Sequence, residues 1–378
     1  MATGRRNENE ELTRWNAGQA GSQSGFSANP QFHPFPTLGA HSEKLECPIA
    51  HDLDILTARR KMTLLEIKNL KIDFQSGHSQ LRAVDGVSLT VGAGETVCLV
   101  GESGCGKSVT AHSIARLVPT PPARYAGGEI LLHGRDVLKM DREELREIRG
   151  GVVGYVFQEP GAALNPVFRI GRQIREMLKL HRPEKATMDE VVRLLKLVGI
   201  PAPEARTASY PFEMSGGMQQ RVMIAMALAS EPELLVADEP TTALDVTIQA
   251  QILGLLQGLK QRLGMAILLI THNLGIVGDI ADRVVVMYAG QIVEMASARE
   301  ILRRPLHPYT RALMDSVPRL GGVAERLPTI PGNVPRAGHF APGCRFAPRC
   351  PFARPACRET NPELLEAAPG RWVRCPVV

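Results

Sequence analysis

No stretch of the 378-residue chain is apolar for long enough to cross a bilayer, a task that takes about 20 consecutive apolar residues. The chain therefore builds no pore of its own, and any membrane passage has to come from other chains. No charged-then-apolar secretory signal opens it, so a cytoplasmic location is expected. Blocks of like charge are missing too. The 44 Lys and Arg are interspersed with 39 Asp and Glu, and the formal net charge is only +5. Nothing in that balance calls for a nucleic-acid partner. A disulfide framework is not expected in a reducing compartment, so the seven cysteines need another explanation.

What is present is an α/β pattern. Apolar strand-length runs alternate with helical periodicity, and the length exceeds one typical domain. Met188 to Val198 places Val191, Leu194, Leu195 and Val198 on one helical face, with Gly199 as a stop. Residues 1–61 differ in kind, being rich in Asn, Gln, Ser, Gly and Glu and poor in periodic apolar residues. They are expected to be disordered, or to be an extension upstream of a true start at Met62. Peptides from residues 1 to 58 of native protein would refute that start.

Gly101-Glu102-Ser103-Gly104-Cys105-Gly106-Lys107-Ser108 matches G-x-x-x-x-G-K-S, after the apolar run Thr96 to Val100 and before a periodic helix. Strand, glycine loop and helix stand in the order of a P-loop. Its glycines let backbone N–H groups surround phosphates, Lys107 supplies a cation, and Ser108 offers a hydroxyl to Mg²⁺. Glu233 to Glu239 is an apolar strand ending in Asp238 and Glu239. Asp238 suits a metal's water shell, and Glu239 suits a base that orients and deprotonates an attacking water. Two acids at a strand end can be no more than a solvated terminus, but the run continues as Asp-Glu-Pro-Thr and on to Leu244-Asp245.

Between these segments lies Met214-Ser215-Gly216-Gly217-Met218-Gln219-Gln220-Arg221. P-loop, Ser-Gly-Gly run, Asp238-Glu239 and Leu244-Asp245 together resemble the ABC ATPases over about Met62 to Arg304. The resemblance implies a RecA-like core, an antiparallel β subdomain and a helical subdomain at about residues 165–230. It also implies that Gln158 ligates Mg²⁺ and senses an attached membrane domain, that His272 contacts the γ-phosphate, and that Phe74 stacks on adenine. Ser215, Gly216 and Gly217 would cap ATP held on the P-loop of a second protomer. Met218 stands where the commonest signature has Gln, a variant familiar in the peptide-importer branch.

Composition changes again near Pro305, and thirteen of the 28 prolines fall from there to the terminus. Cys344, Cys350, Cys357 and Cys375 lie there in the spacing C-x₅-C-x₆-C-x₁₇-C. Four clustered cytosolic cysteines suggest a metal site. Zinc sites often use closer pairs. The Cys-Pro steps at Cys350 and Cys375 and the surrounding Arg345, Arg349, Arg354, Arg358, Arg371 and Arg374 favour a [4Fe–4S] cluster, with zinc and a plain reduced cysteine core as alternatives. Cys47, Cys98 and Cys105 lie outside the group.

His307 to Leu313, Gly343 to Pro351 and Phe157 to Pro166 resemble the oligopeptide/dipeptide (peptide/nickel) importer ATPases. Ile330 to Pro335 looks like the first, D-type, of the two ATPases such importers encode. The domain plan is then an extension at 1–61, an ATPase at 62–304 and an importer extension at 305–378. The resemblance implies a second related ATPase, two permease subunits, an external binding protein and a peripheral place on the cytoplasmic face of the bacterial inner membrane. A soluble ABC ATPase acting on DNA or ribosomes is the rival. Such proteins carry a second cassette or a long coiled coil, and neither fits a chain with one P-loop and 108 positions from Lys107 to Ser215. A third reading makes the chain a nucleotide sensor acting through its cysteine tail.

Overall fold

A computed structural model describes residues 63–77, 79–242, 244–317 and 329–377. The extension 1–61 with Cys47, the start at Met62 and residue Ala243 lie outside the described residues. Twelve strands form two sheets among those described. Strands β1 (Thr63–Ser76), β2 (Ser79–Gly92), β4 (Ala123–Leu132) and β5 (Arg135–Asp136) make an antiparallel sheet in the order β2-β1-β4-β5.

The second sheet holds β3 (Thr96–Val100), β6 (Val153–Val156), β7 (Leu234–Asp238), β8 (Ala266–Thr271), β9 (Arg283–Tyr288), β10 (Gln291–Ser297), β11 (Leu365–Ala368) and β12 (Arg371–Val373). Its order is β11-β12-β10-β9-β3-β8-β7-β6, with β9 to β6 parallel and β10, β12 and β11 added antiparallel. Every residue of β3, β7 and β8 is buried. That explains their unbroken apolar runs, since a central parallel strand is covered on both faces. Alternate side chains serve opposite cores: Cys98 and Val100 join one cluster, Val97 and Leu99 the other.

The first cluster also receives the helices between β6 and β7. Helix Ile170–His181 buries Ile170, Ile174 and Leu178, and helix Met188–Leu197 buries Val191, Leu194 and Leu195. Thr187 caps the latter by accepting the Glu190 N–H, and Gly199 follows at φ 73°, as the periodicity predicts.

The C-terminal residues extend the main sheet rather than forming a separate body. Strand β12 pairs with β10 through Glu294↔Val373 and Met295↔Trp372. Glu294 is fully buried, yet its carboxylate accepts the Leu306 and His307 backbone N–H groups at 2.7 and 2.9 Å, so the charge is not left unsatisfied. Tyr288, Tyr309, Phe346 and His307 then pack ring against ring, 4.7–5.8 Å between centroids. Burial holds the His307 imidazole at a pKa of about 3, and its Nδ1 accepts the Tyr309 N–H at 3.0 Å. Among the described residues no helix is long and apolar enough to cross a membrane.

Candidate nucleotide site

The apolar strand β3 stops at Val100, and the chain turns through Gly101, Gly104 and Gly106, all with positive φ, into helix Lys107–Ser113. Two of these glycines are sterically required. A Cβ on Gly101 would stand 2.3 Å from the Met287 carbonyl oxygen, and one on Gly106 would stand 2.7 Å from that of Ala83. Lys107 is 4% exposed and folds back over its own loop, its ammonium donating to the Gly101 and Glu102 carbonyls at 2.8 and 3.0 Å. Cys105 is buried, and burial pushes its thiol pKa up, which makes it a packing residue rather than a nucleophile.

Strand β7 ends beside β3's partner β8 and delivers Asp238 and Glu239. The Ser108 hydroxyl donates to Asp238 Oδ1 at 3.0 Å, and Asp238 is 2% exposed. His112 Nε2 lies 3.2 Å from Asp238 Oδ2 but is not aligned to bond it. Glu239 takes a left-handed backbone, φ 46°, a strained conformation that occurs mostly at functional sites. Its Oε2 accepts from Gln158 Nε2 at 3.2 Å and from the Thr242 hydroxyl at 2.9 Å, and lies 3.2 Å from His272 Nδ1. Its Oε1 is 3.9 Å from Lys107 Nζ.

A cavity of about 670 Å³ is bounded by the P-loop residues Glu102 to Ser108 together with Gln158, Glu239 and His272. Glu102 and His272, far apart in sequence, thus line one cavity because β3 and β8 are neighbours. Phe74 is not brought to this cavity. It is half-buried against the second core, paired with Leu81 and Ala123. Nor do Ser215, Gly216 and Gly217 line it. Ser215 is exposed at the start of helix Gly216–Leu228, where its hydroxyl accepts the Met218 N–H at 3.4 Å.

The chain matches the ABC transporter family model over residues 84–242, and the model of the oligopeptide/dipeptide transporter C-terminal region over residues 293–357. It is 52% identical over 315 residues to a protein of Sinorhizobium fredii described as "Probable peptide ABC transporter ATP-binding protein", covering 82% of this chain and 94% of that one. The chain belongs to the ABC transporter ATP-binding proteins. The oligopeptide transport ATP-binding protein AppD of Bacillus subtilis is 49% identical, with 83% of this chain and 96% of AppD covered. A dimeric, post-hydrolysis ATP-binding cassette bound to ADP and Pi superposes with a TM-score of 0.56 at 28% identity, over 62% of this chain and 99% of that one. This ABC ATPase therefore has the fold that its motifs imply, and it is an ATP hydrolase.

The extension corrects part of the sequence reading. Cys344, Cys350, Cys357 and Cys375 are free thiols. They neighbour one another: the Cys344 N–H donates to the Cys357 carbonyl at 2.7 Å, and burial first, then Cys357 and Cys375, raise the pKa of Cys344 and Cys350. Yet among the described residues no three His, Cys, Asp or Glu side chains stand close enough to share one metal ion. Neither zinc nor an iron–sulfur cluster finds a ready ligand set among the described residues.

The arginines read as cover for thiolates are mostly engaged elsewhere. Arg345 pairs with Asp85 and the Ala289 carbonyl, Arg349 with Glu102, Arg371 with the Arg304 carbonyl, and Arg374 with the Ile292 and Pro362 carbonyls. Sequence reasoning also missed Tyr309, whose oxygen accepts the Glu102 N–H at 2.9 Å. Its only signal was a place in the His307 to Leu313 run.

Proposed function

We propose that this chain is the ATP-hydrolysing subunit that energises import of di- and oligopeptides through a membrane ABC importer. The observation that carries the proposal is a P-loop cavity completed by Gln158, Glu239 and His272 in a chain whose residues 293–357 match the oligopeptide/dipeptide transporter C-terminal region. The peptide-transport names of its relatives point the same way.

In this reading the loop amides of Gly104 to Gly106 and the Lys107 ammonium hold the β- and γ-phosphates. Ser108, which lines the cavity, and Asp238, 3.0 Å from it, are hard oxygen donors that suit Mg²⁺, which would draw charge from the phosphate oxygens. Gln158 joins them as the third ligand. Glu239 orients the attacking water and takes its proton. His272, whose Nδ1 lies 3.2 Å from the same Glu239 oxygen, reaches the γ-phosphate and holds the Glu239 carboxylate in place. Phe74 would reach adenine only as the cavity fills. Ser215, Gly216 and Gly217, which line no part of their own P-loop cavity, are left to cap ATP on a partner ATPase. The partners are then a homologous ATPase, two permeases and an extracytoplasmic binding protein, with the chain peripheral to the inner face of the membrane.

The domain plan is an ATPase at 62–304, with its helical part at about 165–230, and an importer extension at 305–378. Co-purification with the permeases, followed by uptake of peptides and nickel into vesicles, tests the function. Peptide uptake that depends on this chain is the expected result. Nickel uptake without peptide uptake would refute the peptide reading, and tight association with DNA or ribosomes in place of permeases would refute transport.

The four cysteines of the extension are further read as ligands of a [4Fe–4S] cluster, a reading supported by their spacing and by the Cys-Pro steps at Cys350 and Cys375. Anaerobically purified protein is expected to carry iron and visible absorbance, both lost on Cys350→Ser. Colourless, iron-free protein would leave only a reduced cysteine core.

A further inference from the structure

The C-terminal extension contributes Leu313 to the lining of the nucleotide cavity, and two more of its residues contact an acidic residue of the P-loop itself. Glu102 lines the cavity beside Ser103, Gly104 and Lys107, so it brings a negative charge to the loop that a triphosphate has to approach. Two extension residues hold it. Tyr309 accepts its N–H at 2.9 Å, and Arg349 grips its carboxylate with both terminal nitrogens, at 2.8 and 3.0 Å.

Arg349 is positioned independently of Glu102. Its side chain is 6% exposed and donates to the Pro331 and Ile330 carbonyls at 2.7 and 3.3 Å and to the Tyr288 hydroxyl at 3.4 Å. It rides on the one-turn helix Ala347–Arg349, between Cys344 and Cys350. A two-pronged guanidinium is the group best shaped to neutralise a carboxylate without occupying the cavity. Leu313 of the same extension lines the cavity wall.

We propose that Arg349 is a positioning residue for ATP, cancelling the Glu102 charge so that the loop accepts a polyanion. This rests on the reading that the cavity binds ATP. If it holds, the loop's affinity depends on a residue 247 positions away, and the extension is a working part of the ATP site as well as an attachment to the sheet.

The test measures equilibrium ATP binding and steady-state ATPase kinetics of the full chain. Arg349→Met exposes the Glu102 charge to the phosphates and is expected to weaken ATP binding about tenfold, or about 1.4 kcal/mol. KM for ATP should rise while kcat stays within about twofold, the pattern of lost ground-state binding. Glu102→Gln leaves Arg349 unpaired beside the cavity and is expected to tighten ATP binding about threefold. The double variant should return to within about threefold of the parent, because only opposed charges cancel in this way. Arg349→Lys should keep most of the affinity.

A double variant as weak as Arg349→Met would overturn the proposal, since it would mean that the arginine acts by shaping the loop. Weaker binding by Glu102→Gln would overturn it as well, and that arm stands even if Arg349→Met fails to fold. Parent protein that binds no ATP would instead refute the reading of the cavity.

Discussion

Glu239→Gln is expected to lower ATP hydrolysis by about 10²- to 10⁴-fold, roughly 3 to 5 kcal/mol of barrier, while ATP binding is retained. The amide has nearly the shape of the carboxylate and can still meet the Thr242 hydroxyl and Gln158, which now bond Glu239 at 2.9 and 3.2 Å. It cannot accept a proton from water. The strained backbone at φ 46° and three converging side chains hold this one carboxylate at the mouth of the P-loop, so the loss should appear in kcat rather than in affinity. Hydrolysis within about threefold of the parent would remove Glu239 from the role of base.

The second large effect is expected from Gly101→Val. A Cβ there would meet the Met287 carbonyl oxygen at 2.3 Å and Cys105 Sγ at 2.9 Å, and the residue sits at φ +155°. Neither neighbour can yield, because Met287 is fully buried in β9 and Cys105 is fully buried in the loop. The loop has to unfold or β9 has to shift, so a loss on the order of 3–5 kcal/mol and complete loss of ATP binding are expected. Gly104→Ala is the matched comparison. A Cβ at Gly104 meets nothing within 4 Å, so only the left-handed conformation is penalised, by about 1–2 kcal/mol. Equal damage from both substitutions, read from thermal melts and ATP binding, would contradict the steric account.

Much of this was legible because its causes are local. The run Thr96 to Val100 appears as β3 with those bounds, and Glu233 to Glu239 appears as Leu234–Asp238. Both are buried parallel strands whose two faces demand apolar residues. Met188 to Leu197 carries its own cap, face and stop. The nucleotide loop was legible because its chemistry is contained in eight consecutive residues.

The unread features depend on distant residues. Strand β12 is three residues, Arg371 to Val373, with a half-exposed Arg and Trp, and it becomes a strand only by docking on the edge of β10. Arg349 read as positive cover for thiolates because Cys350 is its neighbour in sequence, whereas the fold turns it toward Glu102. Phe74 had the position of an adenine platform, but it lies half-buried against the second core and does not line the P-loop cavity. The signature residues were legible as a class mark, although Ser215 is exposed and does not line its own chain's P-loop cavity.

The central claim is that hydrolysis at Glu239 drives peptide import, and uptake and ATP turnover measured on one proteoliposome preparation test it most directly. With permeases, partner ATPase and binding protein present, the parent chain should accumulate labelled peptide inside the vesicles as ATP is consumed. Glu239→Gln should bind ATP and accumulate none. Peptide accumulation by the Glu239→Gln preparation at the parent's rate would contradict the account.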